Sequence, residues 1–296
     1  MINPKHLASL EAIAEQGSFS AAGEAVGRSH SAISLHIKAL EEELDTIVID
    51  RAARPLALTP DGWALVEQAR RYRRVMEDIR AIGQSDSISG TLSVGIVPTV
   101  MSHLAPPALA RIRAEHPDLQ LEIRTGLSGE LARAVQSGDL DAAVLTGPDL
   151  PPEDLESAAI ADEPLVVIAP PNAEGETDSD LLTQHPFIWF SRKTWAGQQI
   201  ERRLLDRGIR VNAAMEIDSL EAIESLVRHG LGVAIVPDQH DGDASLRRIP
   251  FCTPQATRRV VLLNRRRSPK ARLIQAFKTG LRAVVRQKGS DPSETS

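Results

Sequence analysis

In the stretch "SHSAISLHIK", Ser29, His30, Ser31, Ser34, His36 and Lys38 put hydrogen-bonding side chains on the polar side of a segment that also carries a helical apolar repeat. Such a face suits the donor and acceptor edges that base pairs present in the major groove of DNA. It also suits water, and spacing alone does not separate these two readings.

Other candidate chemistries are weaker. "GLSGE", Gly126 to Glu130, holds half of a nucleophile elbow but lacks the G-x-S-x-G spacing. Ser128 there reads better as a loop hydroxyl that bonds a ligand or caps the following helix. "GLGVAIVP" leads into a strand-like run, whereas a dinucleotide fingerprint needs strand, glycine turn and then helix. The eight histidines form no H-x-x-x-H or H-E-x-x-H pair, so a helical zinc site has no support. Asp218 and Glu221 fit a capping-box-like helix start rather than an acid/base pair. We therefore expect no catalytic residue, no metal and no cofactor. Arg192 and Lys193, after "WF", hint at an anionic ligand, although charges after a strand are commonly just solvated.

The elements that would position these groups can be read from periodicity. Leu7, Leu10, Ile13 and Ala14 give a first helix ending near Gly17; Ser18 or Ser20 then caps "AAGEAV", and Gly27 supplies a break. From His30 the stripe Ile33, Ile37, Leu40, Leu44 faces a core. "TIVID" and "PLALT" flank "RAAR" as a hairpin whose tip carries Arg51 and Arg54. Thr59-Pro60 starts a helix in which Leu65, Ala69, Tyr72, Met76 and Ile79 form a short heptad seam, suited to pairing with another helix.

"GQSDSISG", Gly83 to Gly90, is a hinge by composition. Beyond it, "TLSVGIV", "PALARIRAEHP", "LQLEIRTG", "GELARAVQSG" and "LDAAVLTG" alternate strand and helix, and a second set runs from about Glu163 through "PLVVIAPP", "PFIWF", "QQIERRLLDRG", "NAAMEI", "SLEAIESLVRHG" and "GVAIVP". This order argues for a largely parallel α/β sheet in two lobes with a cleft between them. Ser268-Pro269 begins a last amphipathic helix, and "KGSDPSETS" has the composition of a disordered tail.

The bulk numbers bound these readings. A chain of 296 residues with 42% apolar and 25% charged content suits two or three globular domains. A net charge of −6 argues against a general polyanion-coating protein, though a specific reader needs only a locally basic face. The lone Cys252 excludes an internal disulfide and fits a reducing cytoplasm. No window approaches the roughly 20 apolar residues of a membrane span, so neither secretion nor membrane insertion is expected.

With these elements in this order, the chain resembles the LysR-type transcriptional regulators over nearly its full length. The resemblance is carried by "GSFSAAGEAVGRSHSAISLHIKALEEEL", "DRAARPLALTPDG", "GLSGELARAVQSGDLDAAVL" and "VRHGLGVAIVP". It implies an α/β protein with an N-terminal winged helix-turn-helix (residues 1–58), a dimerising linker helix and hinge (59–89), and a two-lobed periplasmic-binding-protein-like effector domain (90–288). Lobe I would span about 90–162 and 266–288, lobe II about 163–265, and the tail 289–296. The implied partners are a double-stranded DNA operator, a small-molecule co-inducer that the Arg192–Lys193 hint makes anionic, RNA polymerase, and further copies in a homodimer or homotetramer.

Carried onto this chain, the implied DNA contacts are Ser29, His30, Ser31, Ser34, Leu35 and Lys38, with Arg51 and Arg54 at the wing. Leu35 stands where the family commonly has a basic or polar residue, which leaves base hydrogen bonding more to His30 and Ser31. The implied effector contacts are Thr99, Val100, Ser102, Ser128, Phe190, Ser191 and Pro237. The rivals are an enzyme with a DNA-binding appendage and a solute-binding module; the absent cofactor and nucleophile motifs weaken the first, the N-terminal helix pair the second.

Overall fold

The computed structural model describes residues 2–53, 55–81, 88–147, 151–238 and 245–288. The chain divides into two compact units, residues 1–85 and 86–296.

In the first unit, α1 (Pro4–Gln16) begins where the Asn3 side chain accepts the Lys5 amide and ends at Gly17, whose φ of 71° closes the helix in the left-handed region. Ser18, rather than Ser20, caps α2 (Phe19–Ala25) by accepting from the Ala21 amide at 3.2 Å. Ser29 caps α3 (His30–Leu44) in the same way through the Ala32 amide. The two-residue strands β1 (Ile49–Asp50) and β2 (Ala57–Leu58) pair antiparallel as the expected hairpin. Thr59 Oγ1 accepts the Gly62 amide at 3.0 Å and starts α4 (Pro60–Ala81). Leu10, Ile13, Ala22, Ile33, Ile37, Leu40, Val66 and Ala69 close a small core, so the apolar stripe of α3 does face inward.

That core also divides the expected seam. Ala69 is buried and Leu65 packs against the unit's own core, whereas Tyr72 and Ile79 are exposed. Val66 and Ala69 of α4 serve their own unit's core, whereas Trp63 in its first turn and Tyr72, Val75 and Ile79 further on are exposed.

The second unit opens with β3 (Gly90–Ile96), α5 (Pro98–Met101), α6 (Ala105–Glu115), β4 (Leu119–Thr125), α7 (Ser128–Ser137) and β5 (Ala142–Thr146). It continues through β6 (Leu155–Ala169), α8 (Asp178–Gln184), β7 (Pro186–Phe190), α9 (Trp195–Asp206), β8 (Asn212–Ile217), α10 (Leu220–Arg228) and β9 (Ala234–Pro237). β10 (Arg247–Pro250), β11 (Thr257–Arg265) and α11 (Ala271–Lys288) complete it.

β3 lies between β4 and β5, all parallel as the strand-helix-strand order requires. The sheet is nonetheless mixed. β11 runs antiparallel to β5, and the first part of β6 runs antiparallel to β11. From Leu165 onward β6 leaves β11 and pairs instead with β9 and β10, while β7 and β8 pair in parallel and a bridge from Phe187 to Val233 joins them to that second sheet. β6 is therefore one strand that serves both lobes. Periodicity marks only its second half, because the first, "LESAAIADE", is alanine-rich, holds few β-branched residues and carries charges at both ends. It also put β11 with lobe II, whereas β11 pairs with β5 in the first lobe's sheet, so the chain recrosses between lobes before Thr257.

Candidate nucleic-acid interface and ligand cavity

On α3 the buried side holds Ile33, Ile37 and Leu40, while His30, Ser31, Leu35 and Lys38 are exposed and Ser34 is half-buried. Ser29 lies at the exposed start of the helix, its hydroxyl committed to the cap and 3.0 Å from that of Ser31. Lys38 reaches Glu42 at 3.5 Å, an exposed pair of small energetic weight. At the wing, Arg51 Nη2 donates to Glu41 Oε2 at 3.0 Å, and the other oxygen of Glu41 accepts from the amides of Val48 and Ile49. One carboxylate thus ties the hairpin to the last turns of α3 and holds Arg51 in place. Arg54 lies outside the described residues, as do positions 82–87 of the hinge and the tail from 289.

His36 does not share this face, contrary to the sequence expectation. It turns toward α1, where its ring stacks on His6 with centroids 4.6 Å apart and its Nδ1 lies 2.8 Å from Ser9 Oγ. The Ser9 hydroxyl already donates to the Lys5 carbonyl, so its oxygen accepts from an Nδ1–H of His36. Burial, followed by electrostatic interaction with His6, Arg28 and Lys5, lowers the pKa of His36 below its ordinary 6.5. The neutral ring is the form that fits.

In the second unit a small cavity is lined by residues of both lobes, among them Thr99, Ser128, Thr146, Phe190, Thr194 and Arg258. The local logic is uniform: β3, β4, β5 and β7 all end here, and the last residue of each strand or the turn after it supplies the lining. Carboxyl ends of strands in open α/β sheets are where ligands bind. Ser128 and Thr146 are 4% and 2% exposed, and their hydroxyls have no protein partner among the described residues. Hydroxyls placed in this way are free to donate to or accept from a ligand.

Arg258 is the central charge of the cavity and only 1% exposed. Its Nη1 donates to Thr99 Oγ1 at 2.9 Å and its Nε to Glu163 Oε2 at 2.6 Å. Nη2 lies equally near that oxygen, yet at an angle that makes no hydrogen bond, so this nitrogen has no aligned acceptor. The second oxygen of Glu163 meets His103 Nε2 at 2.9 Å. Burial pushes the Glu163 carboxyl upward, but the Arg258 charge and the hydrogen bonds with His103 and Arg258 outweigh it and hold the group below its ordinary 4.5.

Of the effector contacts the sequence suggests, Thr99, Ser128 and Phe190 line this cavity. Val100 is fully buried in the first lobe's core, Ser102 is exposed and donates to the Thr99 carbonyl, and Ser191 accepts the Thr194 hydroxyl at the start of α9. Pro237 pairs with Leu165 at the end of β9. None of these four is among the lining residues. Arg192 turns to Glu216 at 3.0 Å and lies over Trp189, so neither it nor Lys193 contributes to the lining. Asp218 sits at the cavity rim and does not cap α10; Ser219 does, accepting from Ala222. Sequence reasoning missed Thr146, Thr194 and Arg258. The arginine did leave a signal, since a cation inside "TRRVVLL" needs a buried partner if that run is a core strand.

Among the described residues there is no cluster of His, Cys, Asp and Glu fit to hold a metal, and no helix long and apolar enough to cross a membrane.

A helix-turn-helix with a wing in one unit and a cleft between two lobes in the other define a ligand-responsive DNA-binding protein. Residues 4–63 match the family described as bacterial regulatory helix-turn-helix protein, lysR family, and residues 85–286 match the LysR substrate binding domain. The chain belongs to the LysR family of transcriptional regulators, with a helix-turn-helix for DNA and a substrate-binding domain for an effector.

Among its relatives, the HTH-type transcriptional regulator CzcR of Bacillus subtilis is 27% identical over 243 residues, covering 82% of each chain. A probable RuBisCO transcriptional regulator of Trichormus variabilis is 30% identical over 257 residues, 83% of this chain and 76% of that one. Two solved structures share the fold. Full-length OxyR from Pseudomonas aeruginosa has a TM-score of 0.70 at 24% identity, covering 95% of this chain and 98% of that one. CbnR, solved with its target DNA, also has a TM-score of 0.70, at 20% identity, covering 95% and 99%.

Proposed function

We propose that α3 enters the major groove of a two-fold operator with Ser29, His30, Ser31, Ser34, Leu35 and Lys38, while Arg51 and Arg54 of the wing meet phosphate. A small effector occupies the cavity, touching Thr99, Ser128 and Phe190 together with Thr146 and Arg258. The observation that carries this reading is the convergence of polar groups on one cavity: the hydroxyls of Ser128 and Thr146, with no protein partner among the described residues, and the Nη2 of Arg258, which has no aligned hydrogen-bond acceptor. An effector supplies what they lack.

The effector's head is a hydrogen-bond acceptor, because Arg258 Nη2 and the first amides of α7 can only donate. A carboxylate meets this need and so does a neutral carbonyl. Glu163 already balances the charge of Arg258, so an anionic effector gains less here than an isolated arginine would give it. Val97, Leu127 and Phe190 favour an apolar body.

The protein carries out no catalytic step of its own; it works in the cytoplasm, on chromosomal DNA and RNA polymerase, as a homodimer or homotetramer joined through the later turns of α4. Effector binding changes the angle between lobes and, in an oligomer, the spacing of the half-sites it holds. Genomic footprinting with the full chain at stated salt tests the DNA part: discrete sites with two-fold symmetry are expected, and diffuse, salt-labile protection would overturn it. Thermal-shift screening of metabolites from the pathways encoded beside those sites tests the cavity, with Ser128→Ala expected to abolish the response.

A further inference from the structure

With α3 taken as the DNA-reading helix, as proposed above, its exposed face has an unusual centre. Ser31, Leu35 and Lys38 recur at i, i+4 and i+7, opposite the buried stripe of Ile33, Ile37 and Leu40. Leu35 is 65% exposed, in the middle of the face rather than at its edge. A solitary surface leucine is ordinary. One at the centre of a groove-reading face must do something hydroxyls and cations do not.

Leucine neither donates nor accepts hydrogen bonds, so it cannot read the nitrogen and oxygen atoms of base edges. The major groove offers one apolar feature, the C5-methyl group of thymine. The hydroxyls beside Leu35 are also partly spent: Ser29 Oγ caps the helix and bonds the hydroxyl of Ser31. Burying the leucine against a methyl removes apolar surface of both partners from water, whereas a bare pyrimidine edge would leave it facing polar atoms. We propose that Leu35 is a specificity-determining residue that reads a thymine methyl, so that each half-site of the operator requires a thymine opposite it.

The test is selection of binding sites by the full-length protein from random-sequence duplex pools made with thymine, and in parallel with uracil, which differs only by the missing methyl. A thymine is expected at one fixed position per half-site in the first pool, with that preference lost in the uracil pool while the rest of the consensus stays. Leu35→Ala, an exposed helical substitution that favours folding, should lose the same position from the thymine pool. In the selected operator, uracil at that position should weaken wild-type binding about fourfold, the factor matching about 0.8 kcal/mol for one buried carbon group, and leave the alanine variant unaffected. A consensus identical in both pools, or a thymine preference that survives in Leu35→Ala, would overturn the inference while sparing the DNA-reading assignment of α3. Failure to select any sequence would overturn both, and unchanged DNA selection with altered self-association in Leu35→Ala would mean that the leucine meets protein instead.

Discussion

Glu163 and Arg258 face each other as register partners where β6 and β11 pass between the lobes, with Nε and Oε2 only 2.6 Å apart. Two residues further along, β6 has exchanged β11 for β9. Because Arg258 also holds Thr99, the cavity, the first residues of α5 and the crossing strands form one hydrogen-bonded chain. An effector that engages Arg258 therefore acts directly on the place where the lobes join.

Removing one member of this pair should be costly, since the other is left as an uncompensated buried charge. Glu163→Ala is expected to lower the stability of the effector-binding unit by about 3–5 kcal/mol. Glu163→Leu combined with Arg258→Met should recover most of that loss, and thermal unfolding of the three proteins measures both. The pH dependence has a definite sign. A carboxyl held below 4.5 in the folded state contributes fully above 4.5 and loses its contribution as pH falls through the lowered value. The wild type should therefore show an acid-side loss in this unit that the double variant lacks.

Thr99 and Ser128 should separate structure from recognition. Thr99→Ala strips an acceptor from buried Arg258, so a loss of about 1–3 kcal/mol is expected together with a weakened effector response. The Ser128 hydroxyl has no protein partner among the described residues, and Ser128→Ala should leave stability within about 0.5 kcal/mol while abolishing the response. Equal destabilisation in the two variants, read by denaturant titration, would contradict this division.

The stacked His6 and His36 should make the DNA-binding unit acid-sensitive. With the folded-state pKa of His36 depressed, stability is complete above the ordinary 6.5 and falls as pH drops from there through the lowered value. The ionisable groups that act on the ring are His6 and Lys5 on α1 and Arg28 before α3, and none of them is a carboxylate that would offset the proton. Melting curves between about pH 5 and 8 should show this slope, and His36→Gln should flatten it without removing the helix.

On α4, Tyr72, Val75 and Ile79 are 41%, 54% and 52% exposed, a continuous apolar edge past the unit's own core. Ile79→Asp should weaken self-association by at least about tenfold, by placing a charge in a helix–helix seam. Sedimentation at varied concentration would show it as a shift to the smaller species, with the fold of each unit kept.

Much of this protein was determined by its sequence alone because the deciding interactions are local. Caps at Ser18, Ser29 and Thr59, the i, i+4 stripe of α3, and the alternation of strand and helix after residue 90 depend on neighbours within a turn or two. Only the tertiary structure decided which side His36 takes, since that rests on Ser9 and His6 on another helix. The same holds for β6 running through both lobes and for β11 joining the first, because a strand's partners are chosen across the sheet and leave no periodic mark. Arg258 shows the reason most plainly: it can be buried beside a cavity only because Glu163, 95 residues away in sequence, arrives to balance its charge.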